Sequence, residues 1–247
     1  MAAGFLLLIS SCEGDKKKSR VNVGDDTINT GTIHVSIDES FEPIMAEQIK
    51  VFMSQNPKAT IVPHYKSEEE CLKDLLSDST RMVIVTRGLT EQEELFYKDT
   101  FMFVPMWGKI ANDAIAVVAH NKSKDSLFSV AEIRSMLNGT SKYPYELVMD
   151  GLKATSTVRF LIDSVLRGQP LAGKVLAASS SEGVVDYVAT HPNALGFIGV
   201  SWIGNKDDSS QLSFQKRVNI AALQCANCTE EVYVRPYQAN IAMKRYP

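Results

Sequence analysis

From residue 32 onward, short apolar runs of strand length alternate with stretches whose apolar residues recur at helical spacing. That alternation restricts the fold more than any other feature, because strands separated by helices pair in parallel and carry the helices on their sheet faces. The class is therefore α/β. Residues 32–37 alternate through Ile33, Val35 and Ile37 as a strand, and residues 43–55 place Ile44, Met45, Ile49, Phe52 and Met53 on one helical face. The unit repeats with a strand at 60–65, a helix at 68–76 that turns Cys71, Leu72, Leu75 and Leu76 inward, and a strand at 82–86. Thr90 and Glu93 then open a helix as a capping box, in which hydroxyl and carboxylate satisfy free backbone N–H groups reciprocally.

A second series begins with an apolar strand at 114–119 and a helix capped by Ser129 and stopped at Gly139. Strands follow at 147–149, 175–177 and 194–200, with helices at 156–166 and 182–190. Residues 204–211 read as a polar loop, and 218–223 and 232–242 as strands that carry the chain back toward the first lobe. The expected organisation is a tether at 1–31, a first lobe at 32–110 rejoined by 216–247, and a second lobe at 111–215. Each lobe is a mostly parallel sheet flanked by helices.

The 247 residues are 45% hydrophobic and 22% charged, enough to bury a sizeable core and unlike a disordered or multi-span membrane chain. A net charge of -3 gives no basic footprint for nucleic acid. G-x-S-x-G, Walker and G-x-G-x-x-G motifs are absent, so hydrolase, nucleotide-binding and dehydrogenase chemistry lack their machinery. His34, His64, His120 and His191 form no i, i+4 metal pair, and neither a metal nor another cofactor is expected. Cys225 and Cys228 frame a C-x-x-C with no preceding Trp and no helix-forming run. A local disulfide fits this context better than a redox centre, and Cys71 reads as a core thiol.

The first apolar run, Phe5 to Ile9, is far too short to span a bilayer and ends in small polar residues before Cys12. Ile9-Ser10-Ser11-Cys12 resembles a bacterial lipobox, which makes Cys12 the lipid acceptor; the plainer alternative is a short hydrophobic N-terminus, since no Lys or Arg precedes the run. The residues that follow, Lys16 to Lys18 among them, lack any apolar period and form a flexible tether.

Several helices open on hydroxyl residues after a strand: Ser40 ahead of Pro43, Ser67, and Thr155-Ser156-Thr157 ahead of Val158. Helix N-termini present unpaired N–H groups and a positive dipole end, so such loops converging beyond the carboxyl ends of a parallel sheet make an anion site. Thr86-Arg87 ends a strand at the same edge and adds a permanent cation. Arg87 either faces the ligand or braces the cleft through an acidic partner.

In this order the motifs Ser36-Ile37-Asp38-Glu39-Ser40-Phe41-Glu42-Pro43, Val85-Thr86-Arg87-Gly88-Leu89-Thr90 with Glu93, Ile110 to Val118, Ala154-Thr155-Ser156-Thr157, Glu182 to Val188 and Asn193 to Gly199 resemble the PstS-like phosphate-binding solute receptors of ABC transporters. These are type II periplasmic binding proteins, and the resemblance is nearest to lipoprotein forms from Bacteroidetes-like bacteria. It implies a two-lobed clamp, with Ser40 and Phe41, Ser67, Thr86 and Arg87, and Thr155, Ser156 and Thr157 as ligand-binding positions. It also implies inorganic phosphate or a similar oxyanion as ligand, a transporter permease as partner, no catalysis, a monomer, and a periplasmic or cell-surface lipoprotein held at the membrane. The alternative is a lipid-anchored sensor or surface protein that uses the same clamp for another ligand or a protein partner.

Three positions depart from the family. Glu68 and Glu69 stand where glycine usually follows the second serine, Arg81 stands where the family has an acid, and Asp150 where it has an arginine. That acid accepts the proton of hydrogen phosphate and repels sulfate; Asp78 and Asp150 are the candidates to replace it here. The family continues beyond the segment matched by Tyr246-Pro247, so the sequence reads as truncated at its C-terminus.

Overall fold

The computed structural model describes residues 27–77, 79–153, 155–204 and 209–247. Cys12, most of the tether and Asp78 lie outside the described residues. The first sheet is built from β1 (Thr30–Asp38), β2 (Lys58–Lys66) and β3 (Thr80–Ile84), with α1 (Glu42–Gln55) and α2 (Glu68–Asp74) in the crossovers and α3 (Glu91–Phe101) after it. Its order is β2-β1-β3, all parallel. The central strand β1 becomes buried over its last four residues, 35–38, so it delivers Asp38 and the turn after it to the interior. Pro43 sits in the first turn of α1, where no N–H is needed.

The second half holds β4 (Ile115–His120), β5 (Leu127–Phe128), α4 (Val130–Leu137), β6 (Glu146–Met149), α5 (Ser156–Phe160), β7 (Val175–Ala177), α6 (Ser181–Thr190) and β8 (Ala194–Gly199). It continues through α7 (Ser209–Arg217), β9 (Val218–Ile220), β10 (Ala222–Gln224), β11 (Tyr233–Val234) and α8 (Gln238–Ala242). A five-stranded sheet runs β7-β6-β8-β4-β9, parallel from β7 to β8 and antiparallel across β4. Every residue of β8 is buried, because helices cover both faces of the sheet there. Gly196 makes this possible: a Cβ on it would lie 2.6 Å from Val184 Cγ1 and 2.8 Å from Val118 Cγ2, so α6 rests directly on the strand.

Five expectations need correction. Residues 216–247 do not return to the first sheet: β9 pairs with the open edge of β4, β10 pairs with β5, and Tyr246 is buried in the second half, its hydroxyl donating to the Ile115 carbonyl at 2.8 Å. The strand expected at 218–223 is two strands broken at Ala221, and that at 232–242 is β11 followed by α8, separated by Pro236. The helix expected at 156–166 is α-helical only to Phe160 and widens into a π turn over Leu161–Val165. The polar loop expected through Gln211 already contains the start of α7, in which Phe214 is buried.

Candidate functional site

β1 ends at Asp38, and one turn of 3-10 helix, Glu39–Phe41, follows it. The Asp38 carboxylate caps this turn: Oδ1 accepts the Ser40 N–H at 2.9 Å and the Ser40 hydroxyl at 2.7 Å. From the other half, α5 starts at Ser156, and its hydroxyl lies 3.4 Å from that of Ser40. Both serines are buried. Two hydroxyl-led helix starts, one from each sheet, therefore meet across one crevice. The Ser201 hydroxyl donates to the Ser40 carbonyl and ties the turn to the end of β8. Asp38 Oδ2 is buried without a hydrogen-bond partner among the described residues.

The hydroxyls beside Ser156 have a different task. Thr155 caps α5 by accepting the Val158 N–H at 3.3 Å and donates to Asp150 Oδ1 at 3.0 Å, while the Thr157 hydroxyl donates to Asp150 Oδ2 at 3.2 Å. Asp150 thus takes both threonine hydroxyls, and Ser156 is the member of the cluster turned to Ser40.

Two carboxylates cross between the halves. Glu39 accepts the Ser181 N–H and the Ser181 hydroxyl, each at 3.0 Å, at the first turn of α6. Glu68, buried at the start of α2, accepts the Thr86 N–H at 3.1 Å, the Thr86 hydroxyl at 2.5 Å, and Arg159 through Nε at 2.5 Å and Nη2 at 3.3 Å. Arg159 Nη2 also donates to the Thr86 hydroxyl at 2.6 Å.

The remaining candidates take other contacts. Arg87 aims both guanidinium nitrogens at Glu93, at 2.7 and 2.9 Å, so it takes an acidic partner of its own. The Ser67 hydroxyl donates to Glu70 at 2.7 Å, and Phe41 packs against the small core of the first sheet. Arg81 is exposed. Cys225 and Cys228 are joined as a disulfide, and burial pushes the Cys71 thiol up to about 12.

Burial dominates the electrostatics of the crevice. It raises the carboxyls of Asp38 and Glu39 and lifts that of Asp150 to about 6; hydroxyl and backbone hydrogen bonds oppose the rise, and the nearby Asp38 charge adds to it at Asp150. Glu93, beside Arg87, falls to about 2. The crevice therefore pairs hydroxyl groups with carboxyls that take up a proton more readily than free ones. Among the described residues no group of three or more His, Cys, Asp and Glu is placed to hold a metal ion.

Sequence reasoning missed Arg159, Asp38, Glu39 and Ser181 as site residues. A signal existed for Arg159, which stands three residues after Ser156 and four after Thr155, on the same helix face. Ser179-Ser180-Ser181 at the head of α6 was a comparable hydroxyl-led helix start.

The family model of the PBP superfamily domain matches residues 25–247. Among solved structures, a protein from Clostridium perfringens assigned as a phosphate ABC transporter substrate-binding protein, with bound phosphate, is similar at 15% identity and TM-score 0.68, covering 87% of this chain and 82% of its own. An ABC-type phosphate transport receptor from Vibrio cholerae is similar at 14% identity and TM-score 0.54, over 87% of this chain and 83% of its own. The CcmR regulatory domain from Synechocystis PCC6803, in complex with 2-PG, is similar at 11% identity and TM-score 0.57, over 78% of this chain and 81% of its own. No curated protein matches the sequence.

Proposed function

The chain belongs to the PBP superfamily, and from that premise we propose that it is a non-catalytic substrate-binding protein that captures phosphate or a similar oxyanion between its two halves for delivery to an ABC transporter. The observation that carries this reading is the approach of the buried Ser40 and Ser156 hydroxyls, 3.4 Å apart, from the two sheets. The bound phosphate of the Clostridium perfringens relative supports the ligand class. The halves close over the anion as a hinged clamp; the Ser156 hydroxyl donates to it, and that of Ser40 joins by exchanging its bond to Asp38 for one to the anion.

Asp38 then supplies the acceptor that position 81 lacks. Its unpartnered Oδ2 takes the proton of hydrogen phosphate, and a fully ionised sulfate meets a carboxylate it cannot satisfy. Thr155 and Thr157 hold Asp150 and position α5, and Arg87 braces α3 through Glu93. A lipid on Cys12, a monomeric state and a site of action at the periplasmic or outer membrane face complete the proposal.

Titration calorimetry on the purified chain with inorganic phosphate and with sulfate tests it. The expected result is 1:1 phosphate binding, lost in Ser40→Leu and Ser156→Leu variants whose circular dichroism is unchanged, and no heat with sulfate. Absence of heat with both anions overturns it.

A further inference from the structure

The crevice already contains an anion, and it is part of the chain. The Glu68 carboxylate accepts four hydrogen bonds, two from Thr86 and two from Arg159, and these donors come from opposite halves of the molecule. Backbone N–H, hydroxyl and a guanidinium converging on one set of oxygens make an oxyanion cradle. The donors sit at the mouth of the crevice, Thr86 exposed and Arg159 half-buried, whereas Glu68 is 3% exposed and plugs the cradle from within. Ser67, next to it, spends its hydroxyl on Glu70, so the loop is fixed by a separate contact and Glu68 is free for this one.

We propose that Arg159 and Thr86 form the cation-bearing wall of the ligand site and that Glu68 is a built-in surrogate that occupies it, so that Glu68 determines which anions the protein accepts and how tightly. This rests on the reading of the crevice as an oxyanion site. Two like charges cannot share the cradle, so an entering anion must displace the carboxylate from Arg159. A monocarboxylate only exchanges one carboxylate for another and gains little, while a tetrahedral oxyanion of higher charge gains both charge and donors. The surrogate therefore selects against ordinary organic acids and holds the halves together before ligand arrives. Apparent affinity falls by the fraction of molecules in which the cradle is occupied by Glu68.

The test uses the whole chain, inorganic phosphate and acetate as probes, and the exchange rate of the Thr86 amide hydrogen. In Glu68→Gln, phosphate binding is expected to tighten about tenfold, acetate binding to become measurable, and Thr86 exchange to quicken. Arg159→Gln is expected to weaken phosphate about tenfold or more, alone and combined with Glu68→Gln. Should Glu68→Gln fail to fold, Glu68→Asp, whose carboxylate stops short of Arg159, carries the same expectations at smaller size. Unchanged or weaker phosphate binding in a folded Glu68 variant overturns the proposal while leaving the oxyanion reading in place. If neither wild type nor variants bind phosphate, the oxyanion reading fails; quicker Thr86 exchange and a larger radius of gyration in Glu68→Gln then still support the interlobe plug, and no change in either overturns that as well.

Discussion

The two halves of this protein start from the same strand, loop and helix unit and end with different cores. In the half built on the five-stranded sheet, clusters fill both faces and residues such as Leu195, Phe197 and Ile198 are wholly buried. In the half built on β1 to β3, the buried apolar cluster is Val35, Ile37 and Ile49, while Met102, Met106, Trp107 and Ile110 stay exposed. The difference teaches where the site gets its order. The second half holds α5 and α6 by packing, whereas the first half holds its loop tips by polar ties: Asp38 to Ser40, Glu39 to Ser181, Glu68 to Arg159 and Arg87 to Glu93. A crevice with one wall fixed by packing and the other by hydrogen bonds is one whose second wall can rearrange around a ligand.

Large-to-small substitutions break or sharpen this contrast most directly. Phe197→Ala should lower unfolding stability by about 3–5 kcal/mol, and Ile49→Ala by about 2 kcal/mol, at the low end of the range for buried aliphatics. Urea denaturation of both variants checks this, and equal losses would erase the asymmetry. A smaller effect distinguishes the acids of the two regions. Asp150 holds its proton up to about pH 6 in the folded chain, against about 4 when unfolded, so the stability linked to it is present below pH 4 and is lost as pH rises through 6. Glu93, near 2 when folded, contributes above its unfolded value and loses that contribution as pH falls toward 2. Melting temperatures measured from pH 3 to 8 should fall less steeply between pH 4 and 6 in Asp150→Asn and keep the decline below pH 4.

The least effect is expected at the partly exposed brace. Arg87→Lys keeps the charge and loses the two-pronged contact with Glu93, at a cost of about 1 kcal/mol or less. Calorimetry should find phosphate affinity changed less than stability; the reverse would return Arg87 to the ligand.

Much of the frame was legible because it is local. The alternation through Ile33, Val35 and Ile37 marked β1, and the hydroxyl and glutamate spacing at Thr90 and Ser129 marked two helix starts whose capping boxes are formed. What was not legible depends on distant pairing. Apolar residues at 218–223 declare a strand but not which edges it joins; its first part pairs with β4 and its second with β5. Beyond Pro236, Ala239, Ile241 and Ala242 fit a short strand or a short helix equally well, and the helix forms. Glu68 read only as a departure from the family's glycine, because its partner Arg159 lies far along the chain and only the fold joins them.

The clustered carboxyls of the crevice carry a thermodynamic cost and a use. On the proposed reading, an anion that settles beside Asp150 makes its ionisation harder still, so loading draws protons from the surrounding medium. On that reading, loading is favoured in mildly sour surroundings and opposed in alkaline ones.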